Sequence, residues 1–189
     1  MPVSLASNSA PMKGALVPIA SQTVTGSTTT DVTFTNIPQI YQDLMIVSFA
    51  RRTDAATLAN LFITPYYTGI PATPQSATTL ISDGSTASST RVANQDAAYV
   101  GSVPANSATS GIFGSATWHC LNYANTSNFK QTICRCASDL NGSGDTRVTA
   151  NLTRGLSGIT IVNCSTFSAS IYWVAGTTFS LYGIRSIGQ

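Results

Sequence analysis

Residues 31–51 decide the fold: Asp31-Val-Thr-Phe-Thr-Asn-Ile-Pro-Gln-Ile-Tyr-Gln-Asp-Leu-Met-Ile-Val-Ser-Phe-Ala-Arg51. They contain two apolar runs of strand character, Val32 to Ile37 and Leu44 to Phe49. Pro38 lies between the runs, fixes a bend and cannot donate a ladder hydrogen bond. In the second run alternate side chains point to opposite faces, and both faces are apolar. The faces hold Leu44 and Ile46 on one side, and Met45, Val47 and Phe49 on the other. We therefore predict a central strand that is covered on both sides.

The composition favours strands and turns over helices. Hydrophobic residues make up 43% of the 189 residues, which is enough for a core, while charged residues make up only 8%. All seven acidic residues are Asp, and Glu is absent, so the residues that usually cover helix surfaces are scarce. A surface of Ser, Thr and Asn with few charges suits a subunit whose faces contact copies or partners.

The charge pattern and hydropathy argue against two kinds of partner. A formal net charge of +2, with nine basic residues scattered along the chain, does not form the basic patch of a nucleic-acid-binding protein. No apolar run approaches the length of a membrane helix. The apolar run at 15–20 is short and contains Pro18, so we expect no secretory signal and synthesis in a cytoplasm without export by that route.

The length suits one domain with an arm. We predict an N-terminal arm at residues 1–13 and a single β-sandwich domain at residues 14–189. The arm has small polar residues bracketed by two prolines, and we expect neighbouring subunits to hold it. Its interface candidates are Pro2, Val3, Leu5, Pro11 and Met12.

After the opening stretch, segments with a period of two recur at even spacing. We predict nine to eleven strands, including Leu58 to Tyr67, and read residues 69–95 as a long exposed loop that holds one short strand at 78–81. Turn residues such as those of Asn141-Gly-Ser-Gly-Asp145 separate the later strands. The fold class is all-β, a jelly-roll-like β-sandwich.

Candidate catalytic residues are few. His119 is the single histidine, next to Trp118, and no Gly-x-Ser-x-Gly sequence supplies a nucleophile for it. A glycosidase pair would have to consist of two Asp residues, and no spacing supports one. We therefore expect no enzymatic activity and no catalytic residue, with a glycan hydrolase as the enzyme alternative.

Cysteine and aspartate spacing raises the question of metal sites. Cys134 and Cys136 share one face of a strand, unlike a zinc knuckle, and together with Cys120 and Cys164 they are expected to be buried free thiols, although an inter-strand disulfide stays open. Asp139 to Asp145 alternates oxygen ligands like a calcium loop but lacks the acid at the twelfth position, so a hairpin turn is preferred. We expect no metal and no cofactor.

Two pairs of adjacent aromatic residues are further interface candidates. They are Tyr66 with Tyr67, and Tyr172 with Trp173. Neighbouring residues of a strand point to opposite faces, so one member of each pair is expected to face a partner.

Several of these segments resemble virion structural proteins of tailed bacteriophages. Phe34-Thr-Asn-Ile-Pro-Gln-Ile-Tyr-Gln-Asp-Leu is similar to their F-x-x-I-P-x-x-Y-x-D-L opening, and Gly176-Thr-Thr-Phe-Ser-Leu-Tyr-Gly-Ile184 resembles their ending. Asn122-Tyr-Ala-Asn125 with Phe129-Lys130, and Arg154-Gly-Leu156 with Ile159-Thr-Ile161, resemble segments between the two. The likeness spans about residues 16 to 185.

The resemblance implies a structural role in a virion. We expect a capsid decoration or cement protein that forms a homotrimer and binds the major capsid protein or other virion proteins on the outside of the head. The alternative is a tail-fibre or receptor-binding module, in which a loop such as 82–90 contacts host glycan. The resemblance also implies that the Leu44 to Phe49 strand pairs with Phe179 to Ile184, and that Tyr41 and Asp43 fix the bend.

Overall fold

The computed structural model describes residues 15–26, 28–67, 70–71 (backbone only) and 75–185. This part of the chain is all-β, with thirteen strands and no helix. The fold class is therefore the predicted one, a sandwich of two antiparallel sheets compatible with a jelly roll. The predicted arm, residues 1–13, lies outside the described residues.

The strands fall into a large and a small sheet. Their bounds are β1 Leu16–Thr23, β2 Asp31–Phe34, β3 Asp43–Ala50, β4 Leu58–Tyr67, β5 Ile70–Pro71, β6 Gln75–Ser82, β7 Ala87–Gln95, β8 Tyr99–Pro104, β9 Gly114–Cys120, β10 Lys130–Asp139, β11 Gly144–Thr153, β12 Ile161–Ser165 and β13 Thr178–Ile184. The large sheet has the order β1-β13-β3-β9-β10-β11-β6-β7, and the small one β2-β12-β4-β5, with β8 also paired to β4.

The core lies between the two sheets, where every second residue points inward. In the large sheet Leu44, Ile46 and Trp118 are fully buried, and Leu61 and Val162 meet them from the small sheet. Burying side chains of this size contributes about 1.5–3 kcal/mol each, so this layer dominates the stability of the domain.

The predicted pairing of the Leu44 to Phe49 strand with Phe179 to Ile184 is confirmed. The prediction that both faces of this strand are covered is wrong. β3 pairs with β13 along its length, from Asp43 opposite Ile184 to Phe49 opposite Thr178. Its second face is not covered, because Val47 is 41% exposed and Phe49 is 49% exposed. The strand is therefore interior to its sheet, but only one of its apolar faces belongs to the core.

The bend before β3 is fixed by contacts to β13 and to a later turn. The ring of Tyr41 lies against Gly183, where a Cβ would be 2.3 Å from the ring, and the amide of Gln42 donates to the carbonyl of Ile184 at 2.8 Å. Asp43 Oδ1 accepts the amide of Asn122 at 2.8 Å. The contacts agree with the bend-fixing role expected for Tyr41 and Asp43, and they join two segments that carry the resemblance.

Residues 69–95 were wrongly predicted to be a long loop. Gln75–Ser82 and Ala87–Gln95 form an antiparallel hairpin, and only a short turn at 83–86 joins them. With β7 and the two-residue β5, the strand count rises above the predicted nine to eleven. The sequence of β7, Ala-Ser-Ser-Thr-Arg-Val-Ala-Asn-Gln, lacks alternating apolar residues because neither of its faces joins the core.

Candidate interaction surface

The outward side of the large sheet is the widest continuous surface that the described strands form. Register places one row of outward side chains across five neighbouring strands. The row comprises Val47, Thr117, Arg135, Val148 and Leu80. We call this side of the large sheet the outer face.

The outer face exposes large apolar side chains. Leu80 is 60% exposed, Ile133 45% and Val148 40%, and the register brings these three together on β6, β10 and β11. On β3, the ring of Phe49 stacks on Phe113 with 4.8 Å between the ring centroids. Contiguous exposed apolar side chains of this kind are typical of interaction surfaces.

Charges on the outer face are few, and its two acids, Asp43 and Asp139, lie at strand ends. Arg91 and Arg135 lie on it and Arg154 at its margin, and none of the three forms an ion pair with another described residue. By contrast, Arg147 is held inside by Asp145, with Nη2 and the carboxylate 2.6 Å apart. Of these four arginines, the three without an ion pair are therefore the ones that a partner can reach.

A groove of about 380 Å³ crosses the outer face near its β7 end. Arg91 and Arg154 line it together with Gln131, Thr78 and Leu152. Two guanidinium groups among hydroxyl and amide side chains provide donors for an anionic or polyhydroxyl ligand.

The aromatic interface candidates divide between surface and core. Tyr66 and Tyr172 are half-buried and remain candidates. Trp173 is fully buried, and its ring meets Phe179 edge to face at 5.1 Å. Tyr67 is 8% exposed, and burial raises the pKa of its hydroxyl. Neither of these two side chains offers a surface to a partner of the folded subunit.

The arm candidates, Pro2, Val3, Leu5, Pro11 and Met12, lie outside the described residues, so their predicted contacts stay predictions.

His119 is paired with an acid and not with a nucleophile. Its Nε2 lies 3.3 Å from Asp43 Oδ2, and the other carboxylate oxygen is engaged by the amide of Asn122. No serine hydroxyl joins this pair among the described hydrogen bonds. The arrangement holds the start of β3 against β9 and the turn that follows it.

The four cysteines are buried and free, as expected. Burial raises the pKa of Cys134 to about 12 and that of Cys120 and Cys164 higher still. Thiols in this state are neither nucleophiles nor metal ligands at neutral pH.

Asp139 to Asp145 forms the β10–β11 hairpin turn. Asp139 Oδ1 accepts the amide of Asn141 at 2.8 Å, whereas Asp145 turns inward to Arg147, so the two carboxylates do not converge. Across the described residues no group of three His, Cys or Asp side chains could hold a metal ion. Nor does that part of the chain contain a helix long and apolar enough to cross a membrane.

Sequence reasoning missed the roles of two residues of the outer face. Arg51 is buried and donates to the carbonyls of Thr109, Ile112 and Ala108 at 2.7, 2.8 and 2.9 Å, which fixes the loop before Phe113. Leu80 was placed on a short strand within a long exposed loop, and its position opposite Val148 was not foreseen. The apolar second face of β3 was a detectable signal for this surface, but it was interpreted as a second covered face.

No family model, curated protein or solved structure matches the chain.

Proposed function

We propose that this chain is a non-enzymatic structural protein of a tailed-phage virion, which decorates the outside of the capsid as a homotrimer and stabilises it. The virion is its location, and its partners are copies of itself and the major capsid protein or other virion proteins. The proposal rests first on one observation, the charge-poor outer face with its exposed apolar side chains.

The outer face has the chemistry of a protein-binding surface. Its Leu80, Ile133 and Val148 form an apolar centre, and Ser and Thr side chains surround it. Interfaces are enriched in large apolar side chains and Arg, and here Arg135 lies directly opposite Val148. A large sheet face also matches the broad, shallow surface of a capsid better than a deep pocket would.

Contacts between the segments that carry the resemblance support a scaffold role for them. Tyr41 contacts Gly183, and a Cβ at Gly155 would be 1.7 Å from the ring of Tyr67. Lys130 is 1% exposed, and its Nζ donates to the carbonyl of Asn128 at 2.7 Å. Since these residues face one another inside the subunit, the outer face and the arm are left for binding.

Co-sedimentation with mature heads that lack this protein tests the proposal. We expect saturable binding by the unsubstituted protein, and binding weakened at least about tenfold by Leu80→Ser combined with Val148→Ser, because two apolar side chains lose their contacts. Leu156→Ser, at 50% exposure in the loop between β11 and β12, is the matched control. A stable monomer in light scattering that does not bind heads would overturn the proposal.

The second candidate function is a tail-fibre or receptor-binding module, favoured by the groove that Arg91 and Arg154 line. The loop expected to contact glycan, 82–90, is mostly strand, so the groove replaces it as the binding element in this alternative. Replacing both arginines with alanine should then abolish adsorption to the host and leave head stability unchanged. Full adsorption by that variant would dismiss this alternative.

A further inference from the structure

Strand β7 is the free edge of the large sheet. Ala87–Gln95 pairs only with β6, and each of its nine residues is exposed. Its regular pairing runs from Ala87 to Val92, without a proline, before the register shifts. A long regular edge leaves a row of backbone donors and acceptors that another strand can pair with.

The other sheet edges that the strands define are blunted. β1 carries Pro18 and a register shift between Pro18 and Ala20, which interrupt an added strand. β2 is only four residues long, and Gln22 Nε2 donates to its Thr33 carbonyl at 3.3 Å. At the other edge of the small sheet, β5 has two residues, and β8 is buried from Val100 to Pro104. β7 is therefore the edge best suited to accept a strand.

A second copy of β7 is a poor occupant of this edge. Arg91 is the only charged residue of β7 and lies at its centre. Antiparallel pairing of the whole strand with its copy would bring the two Arg91 side chains opposite each other. Like charges directly opposite destabilise a strand pair.

The arm of this chain contains a better occupant. Val3 to Ala10 reads Val-Ser-Leu-Ala-Ser-Asn-Ser-Ala, with no charge to oppose Arg91 and no proline within it. Pro2 and Pro11 bracket the segment, so all of its amides can donate. Its eight residues are enough to cover the six regularly paired positions from Ala87 to Val92.

The arm of the same subunit cannot reach β7. The carbonyl of Ala15 accepts the amide of Arg185 beside β1, at the opposite end of the large sheet. Seven gaps between eight strands put β7 about 33 Å away. The chain from Ala15 back to Ala10 spans at most about 18 Å. Only the arm of another copy can bind there.

We infer that Val3 to Ala10 of one subunit adds as an edge strand to β7 of the next subunit. The inference rests on the proposed function in so far as that function requires assembly with copies through the arm. The contact is heterologous, because one subunit contributes its arm and the next contributes its β7 edge. When the rotation between successive subunits returns to the first one, such contacts form a closed ring, for example a trimer. Backbone pairing supplies affinity, as in other strand additions.

Disulfide trapping in the assembled protein tests the location. Leu5→Cys is combined in turn with Ser88→Cys, Ser89→Cys and Thr90→Cys, while the four native thiols stay unreactive because they are buried. We expect intersubunit cross-links on non-reducing gels. Successive side chains of β7 point to opposite faces, so the cross-links should be strong either at Ser89→Cys or at both Ser88→Cys and Thr90→Cys. Leu5→Cys with Ser21→Cys, on β1, is the matched control. Cross-linking to Ser21→Cys alone, or to none of the β7 positions, would overturn the inference.

Adjacent prolines in the arm test the strand geometry without touching the folded domain. In an added edge strand, alternate amides face β7, so Ala6→Pro and Ser7→Pro should differ: one dissociates the oligomer and the other leaves its mass unchanged in light scattering. Equal behaviour of the two variants contradicts strand addition.

The two proposals fail in different ways. An oligomer that binds heads but gives no β7 cross-link overturns the strand addition and leaves the decoration role standing. An oligomer that cross-links through β7 but binds no head overturns the decoration role and leaves the strand addition standing.

Discussion

An interior strand and an edge strand of the large sheet differ in how their side chains are used. In β3 the inward residues Leu44 and Ile46 are fully buried, and pairing on both sides fixes the strand. In β7 every residue is exposed, and the strand is paired on one side. One sheet therefore provides both the core of the domain and a surface that extends beyond it. The difference separates residues that stabilise the fold from residues available to a partner.

The largest difference in unfolding free energy is expected between substitutions of a core residue and of an outer-face residue in the large sheet. Ile46→Ala removes a fully buried side chain and should lower the free energy of unfolding by about 2–5 kcal/mol. Leu80→Ala, at 60% exposure, should change it by less than about 0.5 kcal/mol. Urea denaturation followed by tryptophan fluorescence measures both. Equal losses would mean that the outer face is part of the core.

Arg51 should matter to stability, whereas Arg135 should matter only to binding. Arg51→Met leaves the carbonyls of Ala108, Thr109 and Ile112 without their donor and should cost about 1–3 kcal/mol in denaturant unfolding. Arg135→Met is the matched control, because its side chain is exposed on the outer face. If Arg135→Met lowered the stability and Arg51→Met did not, the roles assigned to the two arginines would be reversed.

The contact between Tyr41 and Gly183 should make the effects of substituting the two residues on the free energy of unfolding non-additive. Gly183→Ala places a methyl group 2.3 Å from the ring and should cost about 1–3 kcal/mol. In Tyr41→Ala the same substitution should cost much less, since the obstructing ring is gone. A double-mutant cycle on unfolding free energies measures the coupling, and additive losses would exclude the contact.

The smallest effect is expected at the β6–β7 turn. The amides of Thr86 and Ser85 donate to Asp83 and lower the pKa of its carboxyl below 3.8. A lowered folded pKa means that the carboxylate supports the turn above pH 3.8 and loses this role as the pH falls through the folded value. NMR titration of Asp83 should show the low pKa without a change in melting temperature for Asp83→Ala. Global unfolding of that variant would place the hairpin in the core.

Sequence reasoning succeeded where a strand is amphipathic or has a clear turn. Leu58–Tyr67 was predicted to the residue, and the β10–β11 hairpin follows from Asn141 and Gly142. It failed at β7, because a strand that contributes nothing to the core has no apolar alternation to detect. Pairing with β6 and not burial holds that strand in place.

The interaction surface was partly visible in the sequence. The sequence showed a second apolar face of β3, formed by Met45, Val47 and Phe49. Because this face is exposed, it belongs to the outer face and not to the core. Leu80, Ile133 and Val148 are far apart in the chain, so only the register of β6, β10 and β11 shows that they meet. Long-range pairing is what a single sequence leaves undetermined.

In the proposed function the outer face and the arm attach this protein to a capsid. Imaging of virions that carry a labelled copy of this chain is the most direct test. We expect label distributed over the outside of the head, and loss of that label when Leu80→Ser and Val148→Ser are combined. Label confined to the tail, or a head signal unchanged by the double substitution, would contradict it.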